Sequence, residues 1–396
     1  MKRRVEIRWI FLMLTVLLTA CVKGEDIGGS PATGDEDCYL TIYVYAPDRP
    51  VVTRADVGEI AHRTEAESTV HTLKIWVFNH TDGKMIGYLD GTDDQPYLIN
   101  EKGYQMFKMK LDRNFAEHPG NVDVYAVANE ANYGLTLSSS TTRGDLDNAM
   151  IGSGYFGTGT LVNEVPTNGL PMSAKLTNMK VKGKFPTLYI ADTGDEMASL
   201  KLTRAVSKLR FVLCRIKEKD GVTKKLKSID EISLDANIIP NSSNLVIPST
   251  YNYTYSHDAI SYGDVEKTAI PEVADPLVYT YSTQTAQDFE DLINSAIIGK
   301  KTDGTDLGEH LKELGLTYFR ESDKQLTGTI KYTLEGTEQQ ETVQFSMAAP
   351  GDFLRNHSWT VYIYFMDTEI HVLTVTNIGM RSWINGGSQD NPVYNW

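Results

Sequence analysis

Cys21 is the residue whose setting most clearly specifies a reaction. It follows Leu18-Thr19-Ala20, behind an apolar run from Trp9 to Leu18 and the basic residues Lys2, Arg3, Arg4 and Arg8. A charged start, a short apolar run and small residues before the cut form an export signal. A cysteine directly after the cut makes it a lipoprotein signal. The thiol accepts diacylglycerol, and removal of residues 1–20 exposes the cysteine amine. The run falls short of the roughly 20 residues that span a bilayer. The mature chain is therefore expected to be anchored or released, not threaded.

Other reactive residue types do not converge. His62, His71, His80, His118, His257, His310, His357 and His371 are scattered, with no His-Glu-x-x-His and no metal-ligand spacing. Gly152-Ser153-Gly154-Tyr155-Phe156-Gly157 fits G-x-G-x-x-G in letter only. A dinucleotide loop needs a strand before it and a helix after it. Here a helical turn near Gly144–Met150 precedes and a strand-like run follows, so it reads as a glycine-rich loop. Asp35-Glu36-Asp37 and Asp93-Asp94 lack the alternating spacing of a calcium loop. Neither a nucleophile elbow nor a phosphate loop is present. No enzyme, metal or cofactor is expected. Cys38 and Cys214 are distant in sequence, and whether they pair is open.

The elements that must carry any function are short β-rich runs. Cys38–Ala46 alternates with period two: Leu40, Ile42, Val44 and Ala46 fall on one face, and Tyr39, Thr41, Tyr43 and Tyr45 on the other. Strands are expected at 72–79, 84–89, 105–111, 121–128, 200–214, 232–239, 277–281, 328–332, 341–348, 358–365 and 370–377. Helices are expected at 286–298 and 307–314. Many short strands and few helices predict an all-β chain of β-sandwiches. The expected organisation is a signal peptide at 1–20, a polar flexible tether at 21–37, one domain at 38–199 and a second at 200–396. The formal charge is −14, and the signal segment is basic, so the mature chain is more acidic still. That argues against nucleic acid and against electrostatic attraction to an anionic membrane.

The chain resembles the FimA-type fimbrillins, the major fimbrial subunits of anaerobic Gram-negative bacteria of gut and mouth. The resemblance is carried by the Leu18–Cys21 lipobox, the pair 72–79 and 84–89, Val124–Asn129 (VYAVAN), Leu170-Pro171-Met172-Ser173, Leu202–Leu209 (LTRAVSKL), Arg355-Asn356 with the alternating Thr360–Phe365, and the tail from Trp383 to Trp396. It implies two transthyretin-like β-sandwich domains and a surface fimbrium assembled by strand exchange. The lipidated precursor reaches the outer membrane. An arginine-specific protease then cuts after the first strand, and a neighbour's C-terminal tail fills the groove. On this resemblance Leu40, Ile42, Val44 and Ala46 belong to the removable strand. Arg54, followed by Ala55, is the cut site, with Arg63 as the alternative; the residues alone also allow ordinary solvated arginines. Val372, Thr374, Val393, Tyr394 and Trp396 belong to the donor-like tail at 370–396, with Gly386-Gly387 as its hinge; alternatively the tail folds back on its own domain. The implied partners are other copies, accessory subunits and a host or bacterial surface receptor. A shaft role is expected, with tip, anchor or a monomeric glycan-binding lipoprotein as alternatives.

Overall fold

The computed structural model describes residues 37–47, 66–91, 104–162, 164–191, 196–218, 226–266, 277–279, 311–334, 336–347, 354–366 and 369–376. Cys21, Arg54, Arg63, Val393, Tyr394, Trp396, the Gly386-Gly387 hinge and the helix expected at 286–298 lie outside them. Residues 38–396 group as one compact unit, with residues 1–37 as another.

The first sheet is built from β1 (Tyr39–Tyr45), β2 (Leu73–Asn79), β3 (Met85–Asp90), β4 (Tyr104–Lys110), β5 (Asn121–Ala128), β7 (Met172–Lys184), β8 (Thr187–Ala191), β9 (Ser199–Lys201) and β10 (Thr203–Arg204). Two short helices, α1 (Arg113–Glu117) and α2 (Arg143–Asp147), and the short β6 (Met150–Gly152) lie within the same stretch. The strand order is β3-β2-β5-β7-β8-β1-β4, with β9 alongside β1 and β10 alongside β7. β7 serves both layers: its start pairs with β5 and its end with β8. Between these halves Asn178 has φ 57° and the β5 register slips. Asparagine tolerates this left-handed geometry better than most side chains. A bridge between Gly87 and Leu111 brings the two ends of the sheet together. The enclosed core holds Leu40, Ile42 and Val44 with Ile75, Val77, Phe107, Val124, Ala126, Leu188 and Leu200.

A second pair of sheets follows. One contains β11 (Val206–Glu218), β15 (Leu277–Tyr279), β16 (Leu311–Arg320), β19 (Ser358–Met366) and β20 (Glu369–Thr376). The other contains β12 (Leu226–Leu234), β14 (Ile260–Glu266), β17 (Leu326–Leu334) and β18 (Gln340–Met347). Residues of both enclose one core, including Phe211, Phe319 and Val361 from the first and Ile232, Ile330 and Phe345 from the second. β17 alternates buried and half-buried along its whole length, as a sheet with one inner face requires. A third cluster joins Trp76 and Tyr125 to Val206, Leu316 and Tyr318. β13 (Ser242–Asn244) pairs with β6 across the same region.

The chain is thus all-β with several sheets, as expected, and several details differ. The single strand expected at 200–214 is three strands. β9 and β10 join the first sheet and β11 the second, while Leu202 N–H donates to Tyr45 O at 2.9 Å and Ala205 N–H to Pro171 O at 2.8 Å. Buried Leu200, Leu202 and Arg204 alternate with exposed Lys201 and half-buried Thr203 straight through the first bend, so period-two alternation carried no sign of the breaks. The helix expected at 307–314 is a strand from Leu311 onward, because pairing with β11 outweighs the helical spacing of its leucines. The strand expected at 232–239 ends at Leu234, before a turn in which Asn237 has φ 61°. Thr41, expected on the outer face of β1, is buried, since it lies mid-sheet in register with Lys108 and Tyr189.

Candidate functional site

β1 lies inside its sheet, not at the edge. It runs antiparallel to β4 over its full length, from Tyr39 opposite Lys110 to Tyr45 opposite Tyr104. Its other side is shared: Tyr39–Thr41 pair in parallel with β8, and Tyr43–Tyr45 in parallel with β9. The ends are tied too. Tyr39 N–H donates to Pro186 O at 2.8 Å, and Leu111 N–H to Cys38 O at 2.9 Å. Leu40, Ile42 and Val44 are 0%, 1% and 0% exposed, so they contribute three core side chains. Ala46 lies just past the strand and is half-buried. At about 1.5–3 kcal/mol each, the three add roughly 5–9 kcal/mol of gross apolar burial. Cys38 is a free, buried thiol, and burial pushes its pKa up.

Removing β1 would uncover the inner edges of β4 on one side and of β8 and β9 on the other. It would also open an apolar slot where Leu40, Ile42 and Val44 sat. Unpaired strand edges beside an apolar slot accept a replacement strand readily.

β20 carries the described part of the expected donor tail. It stands at the end of its sheet and pairs with β19, with Val372 opposite Ile363 and Thr374 opposite Val361. This portion is folded back on its own sheet.

The chain re-enters the structure after residues 48–65 at a buried charge cluster that the sequence did not reveal. Glu67 is fully buried and accepts from Lys208 Nζ at 2.9 and 2.8 Å and from the Tyr318 hydroxyl at 2.7 Å. Arg204 is also fully buried. It donates to Glu67 O at 2.9 Å, Ser68 Oγ at 2.6 Å and Asn356 Oδ1 at 2.9 Å. Burial pulls the Lys208 ammonium pKa down, opposed by the Glu67 carboxylate. Nearby, Arg355 pairs with Glu321 and caps Leu245 O at 2.8 Å and Asn244 O at 2.6 Å. The motif residues Arg204, Lys208 and Arg355 are therefore buried polar anchors, and the half-buried Asn356 holds Arg204. Arg204 and Lys208 share one face of a strand-like run with Val206. Two cations on so apolar a run imply a hidden carboxylate, and that was the available sign of Glu67.

The glycine-rich loop is also structural. Gly157, at φ 68°, donates its N–H to Tyr318 O at 3.0 Å, and Arg320 bonds Phe156 O. Among the described residues, no group of three or more His, Cys, Asp or Glu is placed to hold a metal ion. No helix among them is long and apolar enough to cross a membrane.

No curated protein matches this chain by sequence. Among solved structures, it is similar to a C-terminally truncated tip fimbrial protein from Porphyromonas gingivalis. That match has 15% identity and a TM-score of 0.45, and it covers 86% of this chain and 99% of that one. A candidate cell adhesion protein from Bacteroides eggerthii matches at 13% identity and TM-score 0.48, over 88% and 98% of the two chains. A fimbrial assembly protein from Parabacteroides distasonis matches at 12% identity and TM-score 0.43, over 86% and 96%. Residues 39–233, from the first residue of β1 into β12, match the profile of the family described as Major fimbrial subunit protein (FimA). Over that span the chain belongs to the FimA family of major fimbrial subunits.

Proposed function

We propose that the chain is a structural subunit of a surface fimbria, assembled by loss of β1 and its replacement with a neighbour's C-terminal strand. The carrying observation is the place of β1. It is an inner strand paired on both sides, filled with apolar side chains, and followed at once by a segment containing Arg54 and Arg63. A cut there detaches an element whose absence leaves a strand-shaped acceptor. Arg54, followed by Ala55, is the preferred site and Arg63 the alternative; Arg49 precedes Pro50, which trypsin-like proteases tolerate poorly. The donor is the tail 370–396. The ordering entropy of an extended donor offsets part of the burial it restores. The precursor is held at the outer membrane by lipid on Cys21, and the chain performs no catalysis. A division into two domains near residue 200 is supported by the change of core between Leu202 and Leu209.

Treatment of the full precursor with an arginine-specific protease, followed by intact mass and a native gel, tests this reading. The expected outcome is one cut after Arg54 or Arg63 and a ladder of oligomers. Deleting residues 386–396 should leave a folded monomer that does not elongate. A precursor that is cut and stays monomeric, or a deletion that polymerises normally, overturns donor exchange. A precursor that keeps both its lipid and β1 under protease is an anchor subunit.

A further inference from the structure

The layer containing β1 has an outer face unlike the rest of this acidic chain. Lys108 and Lys110 line one rim on β4, Lys180, Lys182 and Lys184 the opposite rim on β7, and Lys201 continues from β9. Their parity is outward, because the alternate residues Phe107, Met109, Val181 and Leu200 pack into the core. Between the rims lie Tyr39, Tyr43 and Tyr45 of β1, Tyr104 of β4 and Tyr189 of β8. Tyr104 packs on Tyr43 at 5.9 Å and on Tyr45 at 5.1 Å. Tyr39 and Met106 are 38% and 47% exposed. None of these strands places an Asp or Glu on this face.

The lysines' ion pairing sets the face apart further. Elsewhere among the described residues, Lys74, Lys84, Lys175, Lys208 and Lys331 each have a carboxylate partner, Lys324 lies over the Tyr255 ring and Lys227 has no ion pair; on the face itself Lys110 and Lys182 have partners. Among the described residues, Lys108, Lys180, Lys184 and Lys201 have no ion pair or hydrogen bond through their ammonium groups. In a chain of formal charge −14 with 52 acidic residues, keeping four lysines on one sheet face clear of carboxylates leaves a local positive field. The net charge conceals it.

We propose that this face docks on a lipid surface bearing phosphate headgroups. Tyrosine suits such a boundary, with an apolar ring body and a polar tip. Lysine extends its ammonium past the ring layer toward phosphate. The position along the chain favours a membrane over other polyanions: β1 follows directly on residues 22–37, which lead from Cys21. An acyl anchor and a basic patch are complementary membrane signals. The docking deepens the lipoprotein reading and rests on it for its location. It also gives the proteolytic step a second consequence, since Tyr39, Tyr43 and Tyr45 would depart with β1, weakening the contact as the lipid is lost.

The test uses the mature chain with Cys21→Ser, which carries no acyl group, so docking is read independently of lipidation. It is sedimented with phosphatidylcholine vesicles with and without phosphatidylglycerol, at low and high salt. Binding is expected only to the anionic vesicles. It should fall about ten-fold or more in K108Q/K180Q/K184Q/K201Q and persist in the matching Lys→Arg variant, as headgroup attraction of several lysines requires. Added salt should abolish it. Thermal melts confirm that the variants remain folded. Equal sedimentation with both vesicle types, or unchanged binding of the Lys→Gln variant, overturns the proposal. So does a soluble sulfated polysaccharide bound by this face without any preference for anionic vesicles. A mass spectrum of the native protein reports lipidation of Cys21 separately, so failure of that reading is distinguished from failure of docking.

Discussion

The two ends of the segment 48–65 are held by opposite kinds of chemistry. At its start, β1 carries no charged side chain and is kept by strand pairing and three buried aliphatic groups. At its end, Glu67 and Ser68 are held by a buried ammonium, a buried guanidinium and a tyrosine hydroxyl. Backbone pairing and aliphatic burial can be supplied by any strand of suitable alternation. A buried ion pair fits one partner and leaves a costly orphan when that partner goes. In the proposed assembly, the strand to be replaced and a fixed point of re-entry thus stand on either side of the cut. Fixing Glu67 would keep the start of β2 in place once β1 has left.

Glu67→Ala should have the largest effect. It strands Lys208 in a dry site, and loss of one partner of a buried pair typically costs about 3–5 kcal/mol. Urea denaturation should show this loss both before and after proteolysis, and Lys208→Met in the Glu67→Ala background should recover part of it. A loss confined to the uncut precursor would break the contrast between the two ends.

Leu40→Ala should behave in the converse way. A buried leucine truncated to alanine costs about 2–5 kcal/mol. The cost should appear in the uncut precursor and vanish in cleaved, assembled material, where β1 is gone. An equal loss in both forms would mean that β1 remains seated after the cut.

The smallest effect concerns a charge cluster remote from either end. Burial raises the Asp123 pKa, but the Asn178 N–H at 2.8 Å, His80 at 2.8 Å and Arg143 at 2.6 Å together hold it below the usual carboxylate range. A depressed carboxylate stabilises the fold above its unfolded pKa of about 3.9, and that contribution is lost as pH falls through the folded value. Asp123→Asn should therefore flatten the acid limb of stability measured below about pH 4, with little change in slope at neutral pH. An unchanged acid limb would show that the cluster contributes no pH dependence.

Much of this arrangement was legible in the residues. The alternation of β1 identified Leu40, Ile42 and Val44 as inward, and the run Asn121–Ala128 gave β5 with its bounds. β7 was not foreseen, because its inward residues Met172, Ala174 and Leu176 fall out of period with Met179 and Val181 across the left-handed Asn178, and lysines alternate with the later ones. Arg204, Lys208 and Arg355-Asn356 were singled out as a resemblance, without the partners that explain them. Glu67 ends a polar stretch and reads like any solvated glutamate, since a charged residue carries no local mark of burial.

The sequence by itself determined what depends on near neighbours: strand period, the inner face of β1 and the acidic balance. Tertiary structure alone decided which strands flank β1, where the run after Ser199 changes sheets, that Glu67 meets Lys208, and that lysines from β4, β7 and β9 share one face. Alternation is written in consecutive residues and fixes which way a side chain points. Pairing and ion contacts join residues far apart along the chain, and only closing the sheets selects them.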